Sequence, residues 1–264
     1  MSEIPFYATL ASDRTANDGL VQTLHNLLKP APFFELSRNL KSWVFLFTMV
    51  SSTLGIYWGL FLSPADYRQG EMVRMMYIHV PASWLALGIY TLMAGLSAIH
   101  LIWRNPFASL IVKAAAPIGI CFALLSLITG SLWGKPTWGA WWVWDARLTS
   151  MLILFFLYAG YLLLVQSFEN TYYGQQMGSI LLLVGVLNIP IIKFSVNWWY
   201  TLHQPASLLK WGKPAIHNSM LVPLMLMLVA FIGYFLLVLI IRVEKEWAQQ
   251  RRKSLQIRIV QGIQ

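Results

Sequence analysis

Six stretches of the chain, at about 42–62, 80–103, 111–132, 149–168, 178–196 and 219–242, are almost wholly apolar and close to the ~20 residues that a helix needs to cross a bilayer. Lipid offers the backbone no hydrogen-bond partner, so each stretch must satisfy its own N–H and C=O groups, as an α-helix does. Composition agrees: 58% of residues are hydrophobic and 11% charged, where soluble domains carry about a quarter. The expected fold is all-α, a polytopic membrane protein of six transmembrane helices with both termini on one side. The fifth stretch is the weakest, because Asn188, Pro190 and Lys193 interrupt it. Pro117 and Pro223 fall inside the third and sixth, where neighbouring helices re-satisfy freed backbone groups.

Three regions follow: 1–41 as a cytoplasmic amino-terminal segment, 42–242 as the six-helix domain, and 243–264 as a basic cytoplasmic tail. Glu3, Asp13, Asp18 and Glu35 lie among the early bases and no small-residue cleavage site follows an apolar run, so the first span reads as a retained anchor. Twelve lysines and arginines fall on the terminal side and seven on the other, which places the termini in the cytoplasm. The net charge of +9 is split between faces and concentrated in the tail, a pattern that suits anionic lipid and gives no reason to expect nucleic acid. Cys121, the single cysteine, lies in the third span and reads as a packing residue, so disulfides and C-x-x-C-H haem attachment are excluded within the chain. Neither a G-x-x-x-x-G-K-[ST] phosphate loop nor an H-E-x-x-H zinc helix occurs.

The richest local feature is WGKPTWGAWWVWDARLT, Trp133 to Thr149, with tryptophans at 133, 138, 141, 142 and 144. Tryptophan supplies a broad aromatic face and one N–H donor, which suits a wide planar ligand or the membrane interface. An interfacial belt would decorate both surfaces. Instead, Trp58, Trp84, the five of the loop, Trp198, Trp199 and Trp211 gather on one set of alternate loops, leaving Trp43, Trp103 and Trp247 opposite. The same loops hold seven bases (Arg68, Arg74, Lys135, Arg147, Lys193, Lys210, Lys213) against the acids Asp66, Glu71 and Asp145, an excess that favours an anionic ligand.

Histidines complete the pattern. His25 and His100 lie on the opposite face and read as surface and helix-end residues. His79, in YIHVPASW, opens the second span, with Pro81 placed for a first helical turn; His203, in NWWYTLHQP, follows Trp198 and Trp199. Both are level with the tryptophan loop, and imidazole is a common axial ligand to haem iron. His217, in KPAIHNSM, shares that face and on chemistry alone could replace His203. Haem answers all three features: a plane for the platform Trp138, Trp141, Trp142 and Trp144, an iron for two imidazoles, and propionates for Arg74, Arg147, Lys135 or Lys213. Asp145 either caps the fourth helix or stands beside the ligand. It is alone in its loop, with no nucleophile–base or carboxylate pair for catalysis.

WGKPTWGAWWVWDARLTS resembles the "WWD" signature of the haem-handling proteins of cytochrome c maturation. SPADYRQG, YIHVPASW, the APIG segment from Ala116, and VLNIPIIKFSVNWWYTLHQ extend the similarity over nearly the whole chain, to the CcmC family of haem exporters. The resemblance implies that His79 and His203 are the axial ligands and that His217 is unassigned. It further implies non-covalent haem b as transported cargo, held at the periplasmic face of the bacterial inner membrane and passed to the chaperone CcmE beside CcmA, CcmB and CcmD. This is binding and delivery, not catalysis. The alternative is a b-type electron-transfer protein, whose permanent haem would want ligands deeper within the spans; a permease has no discontinuous helix pair to recommend it. The long segment before Trp43 departs from the family layout.

Overall fold

A computed structural model describes residues 29–168, 171–203 and 216–260. By contacts the chain divides into Met1–Leu40 and Lys41–Gln264. The described part of the first unit is helical from Pro30, with the Ser37 hydroxyl donating to the Phe34 carbonyl at 3.1 Å. The described residues form α1 (Pro30–Tyr57), α2 (Met76–Trp103), α3 (Pro106–Trp138), α4 (Ala146–Ser167), α5 (Thr171–Gly185), α6 (Asn188–Trp198) and α7 (Asn218–Val260). Short π-helical and 3₁₀ turns, Trp58–Leu62 and Glu71–Met75, connect α1 to α2.

The protein is an all-α, polytopic membrane protein. Among the described residues six helical stretches are long and apolar enough to cross a membrane. Each outruns the apolar window read from sequence: the third is Pro106–Trp138 and the second begins at Glu71. Hydropathy marks only the length matched to hydrocarbon, whereas the helix continues until a cap or a glycine stops it. Asn105 caps α3, accepting from Phe107 and Ala108 N–H, and Gly139 ends it at φ +80°.

The fifth span, the weakest by composition, is broken at Val186–Leu187, just before Asn188. Helix α5 stops at Gly185 and α6 starts at Asn188, while the buried Asn188 amide donates to the Ser150 carbonyl of α4 at 2.8 Å. Pro190 falls in the first turn of α6, where its missing N–H has no helical partner to lose. Two expectations are corrected. Helix α2 starts at Met76, so Pro81 lies past its first turn, and the freed acceptor is the Tyr77 carbonyl. Cys121 is exposed on α3, because the buried face of that helix runs through Ala115, Ile118, Gly119 and Phe122.

Small side chains let the helices approach. Ala82, Ala86 and Ala94 of α2, with Ala108, Ala115 and Ala123 of α3, are buried, as membrane packing without a hydrophobic drive requires. Tyr158 of α4 fills the space left by Gly119 and donates its hydroxyl to the Ala86 carbonyl at 2.7 Å. At the end away from the tryptophans, Lys41–Glu244, Lys113–Glu246 and Arg242 on the Ala114 carbonyl tie α7 to α1 and α3. Chain direction puts the segments between α1 and α2, α3 and α4, and α6 and α7 at the other end of the bundle.

A Cβ at Gly119 would sit 2.3 Å from Tyr158 Cε1, whereas one at Gly88 meets nothing within 4 Å. Gly119→Ala should therefore cost about 1–3 kcal/mol through overpacking. Gly88→Ala should be neutral or mildly stabilising; unfolding of the two variants in one detergent measures the difference.

Candidate functional site

The segment between α1 and α2 is shaped by its own polar groups. Asp66 Oδ1 accepts from the Arg68 and Gln69 N–H groups at 2.9 Å each, and Gly70 adopts φ +57°, which favours glycine. The Gln69 side chain then accepts from Trp133 Nε1 at 2.9 Å. Trp133 turns its ring edge-on to His79, with centroids 5.7 Å apart. His79 sits in the first turn of α2 with its Nδ1 3.1 Å from Thr129 Oγ1, and Gly130 leaves room for the ring: a Cβ there would lie 3.1 Å from Cε1.

The tryptophan loop starts at Gly139 and ends at Asp145. Lys135 Nζ donates to the Gly139 carbonyl at 3.1 Å and lies over the Trp141 ring. Asp145 caps α4, its Oδ1 accepting from Leu148 N–H at 2.7 Å. Its other oxygen is buried 3.5 Å from Nδ1 of His203. Burial alone would raise the Asp145 carboxyl; the His203 imidazole and the N–H groups of Leu148 and Leu202 outweigh it and hold it below the usual carboxylate value. Both roles considered from sequence for Asp145 thus have a geometric counterpart.

His203 packs against Trp138, with ring centroids 4.8 Å apart, and its N–H bonds Thr201 Oγ1 at 3.2 Å. His79, His203 and Arg147 lie within electrostatic reach of one another. Arg147 is half-buried, and among the described residues its guanidinium has no hydrogen-bond partner; the field of Asp145 acts on it. Imidazoles from two distant segments and the Arg147 cation thus lie at one end of the bundle, where His203 and Arg147 both act electrostatically on His79.

The four platform tryptophans are divided. Trp138 belongs with His203. Trp142 and Trp144 contact each other edge-on, and with Trp141 they line a groove of about 490 Å³ over Ile128, Ser131 and Leu132 of α3 and Leu152 of α4. At ~100° per residue, that side of α3 is roughly opposite the Thr129, Gly130 and Trp133 side that meets His79. Trp141 and Trp144 are more than half exposed, and Trp142 Nε1 is buried without an acceptor among the described residues.

Arg74 is engaged elsewhere. In the π-helical turn the Ser63 N–H goes to the Trp58 carbonyl, and the next residue, Pro64, has no N–H, so the Gly59 carbonyl is left without a helical donor. Arg74 supplies one at 2.7 Å and pairs with Glu71. His217 is exposed, its Nδ1 bonded within the first turn of α7 to Ser219. His100 is buried at the end of α2 on the Asn105 carbonyl at 2.9 Å. His25, Lys210, Trp211 and Lys213 lie outside the described residues. Sequence reasoning missed Gln69, Thr129 and Gly130; the one available signal was the Thr129, Gly130, Trp133, Gly134 spacing, which puts small residues beside an indole on one helix side.

A sequence profile described as Heme exporter protein C matches residues 23–258. The Heme exporter protein C of Bradyrhizobium diazoefficiens is 43% identical over 235 residues, covering 89% of each chain. That of Haemophilus influenzae is 44% identical over 230 residues, covering 87% of this chain and 94% of its own. A Marchantia polymorpha protein described as putative cytochrome c biosynthesis ccmC-like mitochondrial protein is 45% identical over 205 residues, 78% of this chain and 87% of its own.

If Arg74 chiefly holds the turn after α1, Arg74→Ala should destabilise even the ligand-free protein, by about 1–3 kcal/mol for a partly buried carbonyl left unpaired. Arg147→Ala, which breaks no hydrogen bond among the described residues, should not. Thermal unfolding of both variants separates the roles.

Proposed function

The chain belongs to the Heme exporter protein C family, and from that premise we propose that it binds haem at the tryptophan-bearing end of the bundle and delivers it for c-type cytochrome biogenesis. The observation that carries this reading is that His79 and His203, from segments more than a hundred residues apart, lie close enough to act on each other electrostatically, each edged by a tryptophan. Haem is the cargo; its iron would take the two imidazoles, and its carboxylates the half-buried Arg147. Among the described residues no three His, Cys, Asp or Glu side chains converge, so a metal held here would have to bring further ligands, as iron in a porphyrin does.

The protein's own contribution is position and field. Trp133 and Trp138 fix the flanks of the imidazoles, and Trp141, Trp142 and Trp144 offer an apolar groove and exposed rings toward an acceptor. Cys121 lies away from the site within α3, which supports non-covalent haem b. Asp145 is committed to a helix cap and to His203, which supports binding and delivery over catalysis. Delivery to the chaperone CcmE beside CcmA, CcmB and CcmD, and residence in the bacterial inner membrane with both termini cytoplasmic, complete the proposal on family resemblance and charge distribution.

His79→Ala and His203→Ala should each abolish or strongly alter the absorption spectrum of bound haem in purified protein, whereas His217→Ala, on an exposed helix start, should leave it intact. Loss in His217→Ala with retention in His203→Ala would refute the assignment. Replacing Trp138, Trp141, Trp142 and Trp144 by leucine keeps apolar character but removes the flat ring and indole N–H. Membrane levels should hold while haem retention or transfer to chaperone falls; normal delivery from all four would leave only an anchoring role.

A further inference from the structure

Each imidazole of the site meets an acceptor at Nδ1, and the two acceptors differ in charge. Thr129 has one hydroxyl proton, and its Oγ1 lies 2.7 Å from the Leu125 carbonyl, so that proton is given to the helix backbone. Toward His79 Nδ1, at 3.1 Å, the same oxygen can only accept. The ring proton is therefore on Nδ1, and Nε2 keeps its lone pair.

His203 meets a carboxylate instead. Asp145 divides its oxygens: Oδ1 takes the Leu148 N–H, while Oδ2 and His203 Nδ1 face each other at 3.5 Å. Both atoms are buried, and among the described residues neither has another partner of normal hydrogen-bond geometry. An ionised carboxylate offers no proton, so the two satisfy each other only when His203 carries its proton on Nδ1.

We propose that Asp145 is a positioning residue that holds His203 as its Nδ1–H tautomer, freeing Nε2 as a ligand nitrogen backed by a carboxylate, where His79 has only a neutral hydroxyl behind it. A carboxylate behind a ligating histidine fixes its tautomer and raises its basicity; the hydroxyl behind His79 does so less. Because Asp145 also ends the tryptophan loop and starts α4, the loop's conformation and the ligand's orientation are set by one side chain. The tautomer assignment concerns the protein alone, whereas its consequence for iron rests on the haem-binding reading above.

Asp145→Asn is the discriminating change. Asparagine caps helices as well as aspartate, so with its oxygen on Leu148 N–H it presents an NH₂ group to His203 and replaces an acceptor by a donor. Nitrogen NMR of histidine-labelled, haem-free protein in lipid should show His79 and His203 as Nδ1–H in the parent. In Asp145→Asn, His203 should change to Nε2–H while the His79 resonances stay fixed and report an intact site. In haem-loaded protein the same variant should raise the reduction potential, since a less basic ligand favours ferric iron less, and Thr129→Val should raise it by less. A parent His203 already Nε2–H, or a His203 pattern unmoved by Asp145→Asn, would overturn the proposal. The expected nitrogen pattern with haem affinity indifferent to His79 and His203 would uphold the tautomer assignment and overturn the haem reading instead.

Discussion

Hydrocarbon cannot hydrogen-bond a backbone, and the arrangement of this protein's polar groups follows from that constraint. Within the bundle the hydroxyls of Thr48, Ser51 and Thr129 return to carbonyls of their own helices, and Tyr158 serves the Ala86 carbonyl. Where the helical ladder lapses, a long side chain from elsewhere repairs it: Arg74 at Gly59, and Asn188 at Ser150, beside the break between α5 and α6. Among the described residues five buried polar atoms lack a formed bond: Tyr90 Oη and Ser97 Oγ lie within α2, and Asp145 Oδ2, His203 Nδ1 and Trp142 Nε1 lie at the tryptophan end.

On the function proposed above, the three atoms at the tryptophan end belong to a binding surface rather than to a lid of interfacial aromatics. The two imidazoles have opposite supports. His79 is built into a helix, backed by Thr129 and Gly130 and flanked by Trp133, itself held by Gln69. His203 lies beyond the end of α6 and owes its place to Asp145 and Trp138. On the proposed reading, one helix-borne and one loop-borne imidazole suit a protein that holds a planar cargo and also gives it up. The exposed rings of Trp141 and Trp144 stand over a separate side of α3, accessible to an acceptor.

Helices were legible in the sequence because apolar length is a one-dimensional property, and the interruption at Asn188 and Pro190 was legible because both residues disfavour an apolar helix interior. Helix ends were not, since capping by Asn105 and Asp145 and the positive φ of Gly139 act beyond the apolar window. At the site, the shared face of His79, His203 and the tryptophans followed from alternation of loops. What composition could not reveal was pairwise: that Arg74 is spent on a carbonyl orphaned by Pro64, that Trp138 separates from Trp141, Trp142 and Trp144, and that Thr129 stands behind His79. Those relations depend on which side of a helix a residue occupies, and in α3 nearly every side is apolar, so periodicity carried little information.

Electron paramagnetic resonance of the ferric, haem-loaded protein tests the central claim most directly, because the signal reports the axial ligands themselves. Coordination by His79 and His203 predicts a six-coordinate, low-spin signal of the two-imidazole type that is lost when either histidine is replaced by glycine and restored by free imidazole. A high-spin five-coordinate signal in the parent protein, or a low-spin signal that persists when both histidines are glycine, would contradict it.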